Sequence, residues 1–308
     1  MACVPKPPFR QHRLTVGSNE DCQFTQIQSA IDFADKLAGS CEIVIDEGIY
    51  AETIKIYRNQ LSLVGKGSVE IVASCGAFEK DEQGKVRGTF QTATLFINGE
   101  DIYMENIRVA NQAGMGNQVG QAVAVYLEGT NLSFVSCLLD AYQDTLCLGP
   151  LPAKNKTGLP LESPWVKKSY PVQESIFYQC DISGTVDFIF GGGSACFYQC
   201  RIHCKNSPQT NYLTAASTPL NQKGFTFSDC VISGDKPYYL GRPWRKYAKT
   251  LFTGCRFDTQ LVDAGWHDWQ LTDRSTVHYR EENCYYTKLP MRDSWLTIKG
   301  AKDYEEEH

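Results

Sequence analysis

Four short stretches carry the side chains whose types could do chemistry. GQAVAVYLEG places Gln121 at the head of an apolar run, and LLDAYQDTLCLG carries Gln143 and Asp144. SGTVDFIFGGG sets Asp187 among Val186, Phe188, Ile189 and Phe190, and YYLGRPWRKYAKT brings Arg242 and Trp244 after a glycine. A buried, unpaired carboxylate costs several kcal/mol, so Asp187 needs a hydrogen-bond partner, a cation or a chemical use elsewhere in the chain. The alternative is an alternating strand with Asp187 turned to water. No G-x-S-x-G, H-E-x-x-H or P-loop is present, and His12, His203, His267, His278 and His308 are scattered. Carboxylates, amides and one arginine remain as candidates.

The elements that would position them are short strands. One segment reads as helix: residues 24–37 hold Ile27, Ala30, Ile31, Ala34 and Leu37 at helical spacing. After it an aromatic followed three residues later by Cys recurs in FVSC (134–137), FYQC (177–180 and 197–200), FSDC (227–230) and FTGC (252–255). YMEN (103–106) fits with Asn106 in the Cys place. The uneven spacing suits solenoid coils with loops of different length. Each residue then meets its counterpart about 4.8 Å away, so the aromatics and thiols form internal columns. The helix is expected to cap the open end of the core, and residues 275–308 to cover the other end or pack along the side. Excursions at 75–92 and 149–169 are long enough to wall a cleft. If the four polar stretches belong to successive coils, their side chains line up on one outer face.

The 308 residues are 42% hydrophobic and 21% charged, the mix of a globular chain, read here as a single domain over 1–308. A net charge of -5 without an aromatic-laced basic stripe argues against nucleic acid. No run approaches the roughly 18 apolar residues of a membrane span. MACVPKPPFRQHRL has no apolar signal-like core, and thirteen cysteines is an odd number. Both point to reduced thiols and a cytoplasmic location; the alternative is export with the signal removed, in which case Cys3 and Cys22 could pair. Cys196, Cys200 and Cys204 beside His203 read as packing rather than a zinc site, and neither metal nor cofactor is expected.

In this order the stretches resemble the pectin methylesterases. The match runs from TQIQSAI through GTFQTATLFI, IRVANQAG, QAVAV, DAYQDTL, GTVDFIFGG and YLGRPW to GWHDW, nearly the whole chain. The resemblance implies an all-β, right-handed parallel β-helix that removes C6 methyl esters from homogalacturonan. It implies that Asp187 is the nucleophile, Asp144 the general acid and then base, Gln121 and Gln143 the oxyanion donors, and Arg242 the cation holding Asp187. Trp244 and Trp266 match sugar-stacking positions, with Val186, Phe190 and Tyr247 as candidate subsite walls; Trp269 could be core. The implied partner is methylated homogalacturonan or its oligomers, met by a monomer. Cys147 stands where many members carry an aromatic, and the 149–169 loop is longer than in plant-type members, so the cleft wall departs from the pattern. A chain-cutting β-helix hydrolase or lyase and a non-catalytic acidic-glycan solenoid remain as rivals.

Overall fold

The computed structural model describes residues 5–7, 10–81, 83–155 and 157–304. Cys3 and His308 lie outside the described residues. Three parallel sheets of 11, 7 and 10 strands wrap around one apolar interior. Seven successive coils give one strand to each sheet and the terminal coils contribute only to the other two, so along those coils sequence neighbours sit in different sheets and ladder partners come from the coil before or after. Parallel strands joined this way favour one hand of crossover, and the result is a right-handed parallel β-helix.

The aromatic column forms as the repeat implies. Phe134, Phe177, Phe197, Phe227 and Phe252 stack at successive centroid distances of 4.9, 4.7, 4.4 and 4.5 Å. The thiol column beside it is bonded rather than merely packed: Cys180, Cys200, Cys230 and Cys255 each donate Sγ–H to the carbonyl of the preceding coil's Phe at 3.4 Å. Between them lies a corner residue in the left-handed region, at φ 50° to 61° for Ser136, Gln179, Gln199, Asp229, Gly254 and Asn283. That corner shifts one expectation. Met104 pairs with Phe134, so Asn106, at φ 54°, is the corner residue, and Ile107, not Asn106, occupies the Cys place.

The C-terminal segment extends the helix instead of lying over it. His278–Glu282 and Thr297–Lys299 join the large sheet as further strands, and Glu281 stands opposite Phe252 in the aromatic column. A carboxylate there survives because Arg292 donates Nε and Nη2 to it at 3.0 Å, while Trp266 Nε1 and Tyr286 Oη add bonds of 2.8 and 2.7 Å. All four acceptor positions of the buried charge are thereby used. At the other end the helix is shorter than expected, Ile27–Ala34. Its buried face packs on the strands His12–Val16, Cys41–Ile45 and Ile54–Ile56. Glu52, from outside the helix, accepts the Ile27 and Gln28 amides that its own residues leave unbonded.

All twelve described cysteines are free, and most are buried in the packed interior. Packing accounts for their number, so the cysteine count carries no argument about compartment. Among the described residues no helix is long and apolar enough to cross a membrane.

Candidate functional site

The polar residues gather where the chain turns from the 10-stranded sheet into the 7-stranded one. At this turn Ala122 N–H bonds Gln143 O at 3.2 Å, and Asp144 N–H bonds Val186 O at 3.1 Å. These links set Gln121, Gln143, Asp144 and Asp187 side by side on three successive coils. Arg242 is not on the next coil. The strand Asn211–Ala216 lies between Val186–Gly191 and Tyr238–Gly241, so the guanidinium reaches across two strand spacings, about 10 Å.

A bulge answers why Asp187 has apolar neighbours. Val186 pairs with Tyr212 and Ile189 with Thr214, so three steps on one strand face two on the other. The extra residue re-aims the side chains locally, and Asp187 takes up φ 51°. As a consequence Phe188 and the next residue Ile189 both enter the interior, while Phe190 joins the outer apolar cluster. Gly184 makes this possible, because a Cβ there would collide with the Phe188 side chain.

Asp187 meets Arg242 as a fork: Nε donates to Oδ1 at 2.8 Å and Nη2 to Oδ2 at 2.7 Å. Such a two-point bond fixes the carboxylate's plane as well as its distance. The guanidinium itself is sandwiched between the rings of Tyr212, 4.0 Å from the centroid, and Trp269, 3.9 Å. Asp144 is different in kind. Burial, and then repulsion from Asp187, push its carboxyl well above the usual carboxylate range, with Arg242 opposing only in part. The site therefore holds a cation-bonded carboxylate beside a carboxyl whose surroundings favour the protonated form, two groups of one chemistry set apart by environment.

A cavity of about 340 Å³ opens over these groups. Gln121, Gln143, Asp144, Asp187 and Arg242 line its floor together with Phe190 and Trp244. Both long excursions supply walls: Thr89 and Phe90 from the first, Asn155 and Leu161 from the second. Gln143 lies against Gly116 of the short helix Gly116–Val119, where an added Cβ would come within 2.7 Å of the Gln143 Cβ.

Three expected site residues are not on this cavity. Trp266 is 4% exposed, stacks on Tyr279 at 4.1 Å and donates to buried Glu281, so it is core and cannot offer a face to a sugar. Val186 is packed at 5% exposure, and Tyr247, with the Lys246 amine over its ring at 4.6 Å, does not line the cavity either. Trp269, which the sequence left open as a core residue, takes the place Trp266 was given, on the cavity and over Arg242. Tyr212, Phe90 and Arg245 were missed. Arg245 could have been noticed as a second arginine in GRPWR; nothing in the sequence around Tyr212 or Phe90 marks them.

The pectinesterase family model matches residues 13–149 and 169–307. A pectinesterase of Arabidopsis thaliana is 30% identical over 286 residues, 87% of this chain and 80% of that protein. A combined pectinesterase/pectinesterase inhibitor protein of the same plant is 31% identical over 286 residues; 87% of this chain spans 54% of it, about half its length. Among solved structures, a pectin methylesterase in complex with a hexasaccharide aligns at TM-score 0.76 and 24% identity, covering 92% of each chain. At that identity the likeness is one of fold.

Proposed function

This chain belongs to the pectinesterase family, and on that premise we propose that it hydrolyses the C6 methyl esters of homogalacturonan to pectate and methanol. The observation that carries the reading is a fork-held Asp187 in one cavity with Asp144, whose carboxyl burial pushes upward, flanked by two amides. Asp187 attacks the ester carbonyl. The negative charge that develops on the carbonyl oxygen is met by the side-chain amides of Gln121 and Gln143. Asp144 gives its proton to the departing methoxy oxygen, which leaves as methanol and leaves the galacturonyl group on Asp187 as an anhydride. Asp144, now a carboxylate, takes a proton from water as that water attacks the anhydride. The acid product departs, Asp187 is regenerated, and Asp144 is reprotonated, so each group ends as it began. Arg242 holds Asp187 in attacking geometry throughout. Phe190 and Trp244, with Trp269 in place of Trp266, form the apolar wall along which the sugar chain lies.

A chain-cutting reading would place the same two aspartates about a glycosidic bond, but it has no use for two amides beside them. Highly methylated pectin separates the readings. Methanol release with falling pH and no new reducing ends supports the esterase; new chain ends or unsaturated products overturn it. Asp187→Asn is expected to abolish methanol release while oligogalacturonide binding persists, whereas full turnover in that variant removes Asp187 from the mechanism.

The enzyme is proposed to act as a monomer with one cleft per chain. Its relatives are plant pectinesterases, which fits the exported alternative better than a cytoplasmic location, and packing has already accounted for the cysteines.

A further inference from the structure

The cavity contains a cation that no acid answers. Arg242 is committed to Asp187. Arg245, three residues on, also lines the cavity and is only partly exposed, yet among the described residues no carboxylate forms an ion pair with it. It is nevertheless held in place. Nη1 donates to the Trp244 carbonyl at 2.8 Å, Nη2 donates to the Lys154 carbonyl at 2.6 Å, and the guanidinium sits over the Trp244 ring at 5.0 Å. Carbonyls orient a guanidinium without neutralising it. Of its five N–H donors at least one on Nε and one on each terminal nitrogen remain for a ligand.

The tether comes from outside the part of the chain that the family model matches. Lys154 belongs to the 150–168 segment, which the family model does not span. The same segment puts Asn155 and Leu161 on the cavity wall, so one loop both lines the cleft and pins the arginine inside it. With Asp187 answered by Arg242, Arg245 is the cavity-lining cation left without a carboxylate partner among the described residues, and the polymer proposed to enter the cavity carries two kinds of unit. One has a neutral methyl ester, the other a carboxylate. Only the second can answer Arg245 with a planar, two-oxygen acceptor.

Resting on the esterase reading above, we propose that Arg245 binds the free carboxylate of a galacturonate unit neighbouring the methyl-esterified unit under attack. Partly de-esterified chains are then the favoured substrate.

The test uses methyl-esterified oligogalacturonides of one length: a fully esterified oligomer, and isomers with a single free acid at each successive position. Methanol release is followed for the full chain and for Arg245→Gln and Arg245→Lys. For the unmodified protein, kcat/KM is expected to be about tenfold or more higher for the one isomer whose acid falls beside Arg245, the scale of a charge-assisted hydrogen bond. Added salt should erode the preference. Arg245→Gln should bring the ratio near one, and Arg245→Lys should restore part of it. Because the readout is a ratio between substrates within one protein, a general loss of activity in a variant does not mimic it. Equal rates on all isomers, with methanol released from each, overturn the carboxylate subsite and leave the esterase standing. A preference that survives Arg245→Gln assigns the subsite to another residue. Methanol from none of them refutes the esterase reading itself.

Discussion

The fork between Arg242 and Asp187 joins strands two coils apart, and its removal can be sized from its surroundings. The two side chains are 17% and 12% exposed, so water screens the pair only weakly. Truncation in Arg242→Ala leaves a carboxylate with little solvent and no cation, a loss of about 3–5 kcal/mol. Part of that is stacking, since the guanidinium lies about 4 Å from two ring centroids, on Tyr212 and Trp269. Asp187→Asn removes the charge that would be stranded, so adding Arg242→Ala to it should cost only the lost packing and stacking, about 1–2 kcal/mol. The difference predicts a coupling of roughly 2–3 kcal/mol in a double-mutant cycle. Urea unfolding of the four proteins measures it as a change in midpoint at constant slope. If the two substitutions are additive within about 0.5 kcal/mol, the fork does not hold the bulge, and the positioning role given to Arg242 fails with it.

Other consequences concern the neighbouring groups. Because the folded-state pKa of Asp144 is raised, folding takes up a proton there: its form in the native state is fully compatible with stability below the unfolded value of about 3.9, and stability falls as pH rises from there through the folded value. Asp144→Asn should flatten that decline in a pH series of melting curves while losing most methanol release; an unchanged decline would sink the assignment of Asp144 as the general acid. Gly116→Ala should push Gln143 off its position and lower kcat by tenfold or more, on the order of a weakened oxyanion donor, with KM little changed. An unaltered kcat would exclude Gln143 from the oxyanion site. Trp266→Phe removes a donor from buried Glu281 and should destabilise by about 1–3 kcal/mol without raising KM, whereas Trp244→Ala should raise KM; the reverse pattern would return Trp266 to the sugar-binding wall.

What was legible beforehand lay in residues whose meaning depends on their own coil. A Phe and a Cys three apart, repeated, imply a stacked interior because each coil must meet its copy at strand spacing, and the stacked rings follow that rule. A carboxylate and an arginine set in otherwise apolar or glycine-bounded stretches likewise point to a shared site before any coordinates, since neither is stable there alone. The resemblance to the pectin methylesterases rested on those same local stretches. EENC escaped the repeat because Glu281 fills a Phe place, which is tolerable only with Arg292 beside it, and Arg292 is not local.

Sidedness and reach were decided by the tertiary structure. Period-two alternation assigns faces only while the ladder is regular, and the slip between Val186 and Ile189 reassigns three neighbours at once. Within GWHDW, composition does not say which tryptophan enters the core; the buried Glu281 and the Tyr279 ring take Trp266, and the Arg242 face takes Trp269. The intervening strand Asn211–Ala216 makes Arg242 span two coils, and a carbonyl 91 residues away pins Arg245. Such contacts join segments with no relation in sequence, and their energy exists only once the coils are stacked. The sequence determined that a solenoid with an Asp, Asp, Arg and Gln site would form. The packing of its loops determined the shape and charge of the cleft above that site.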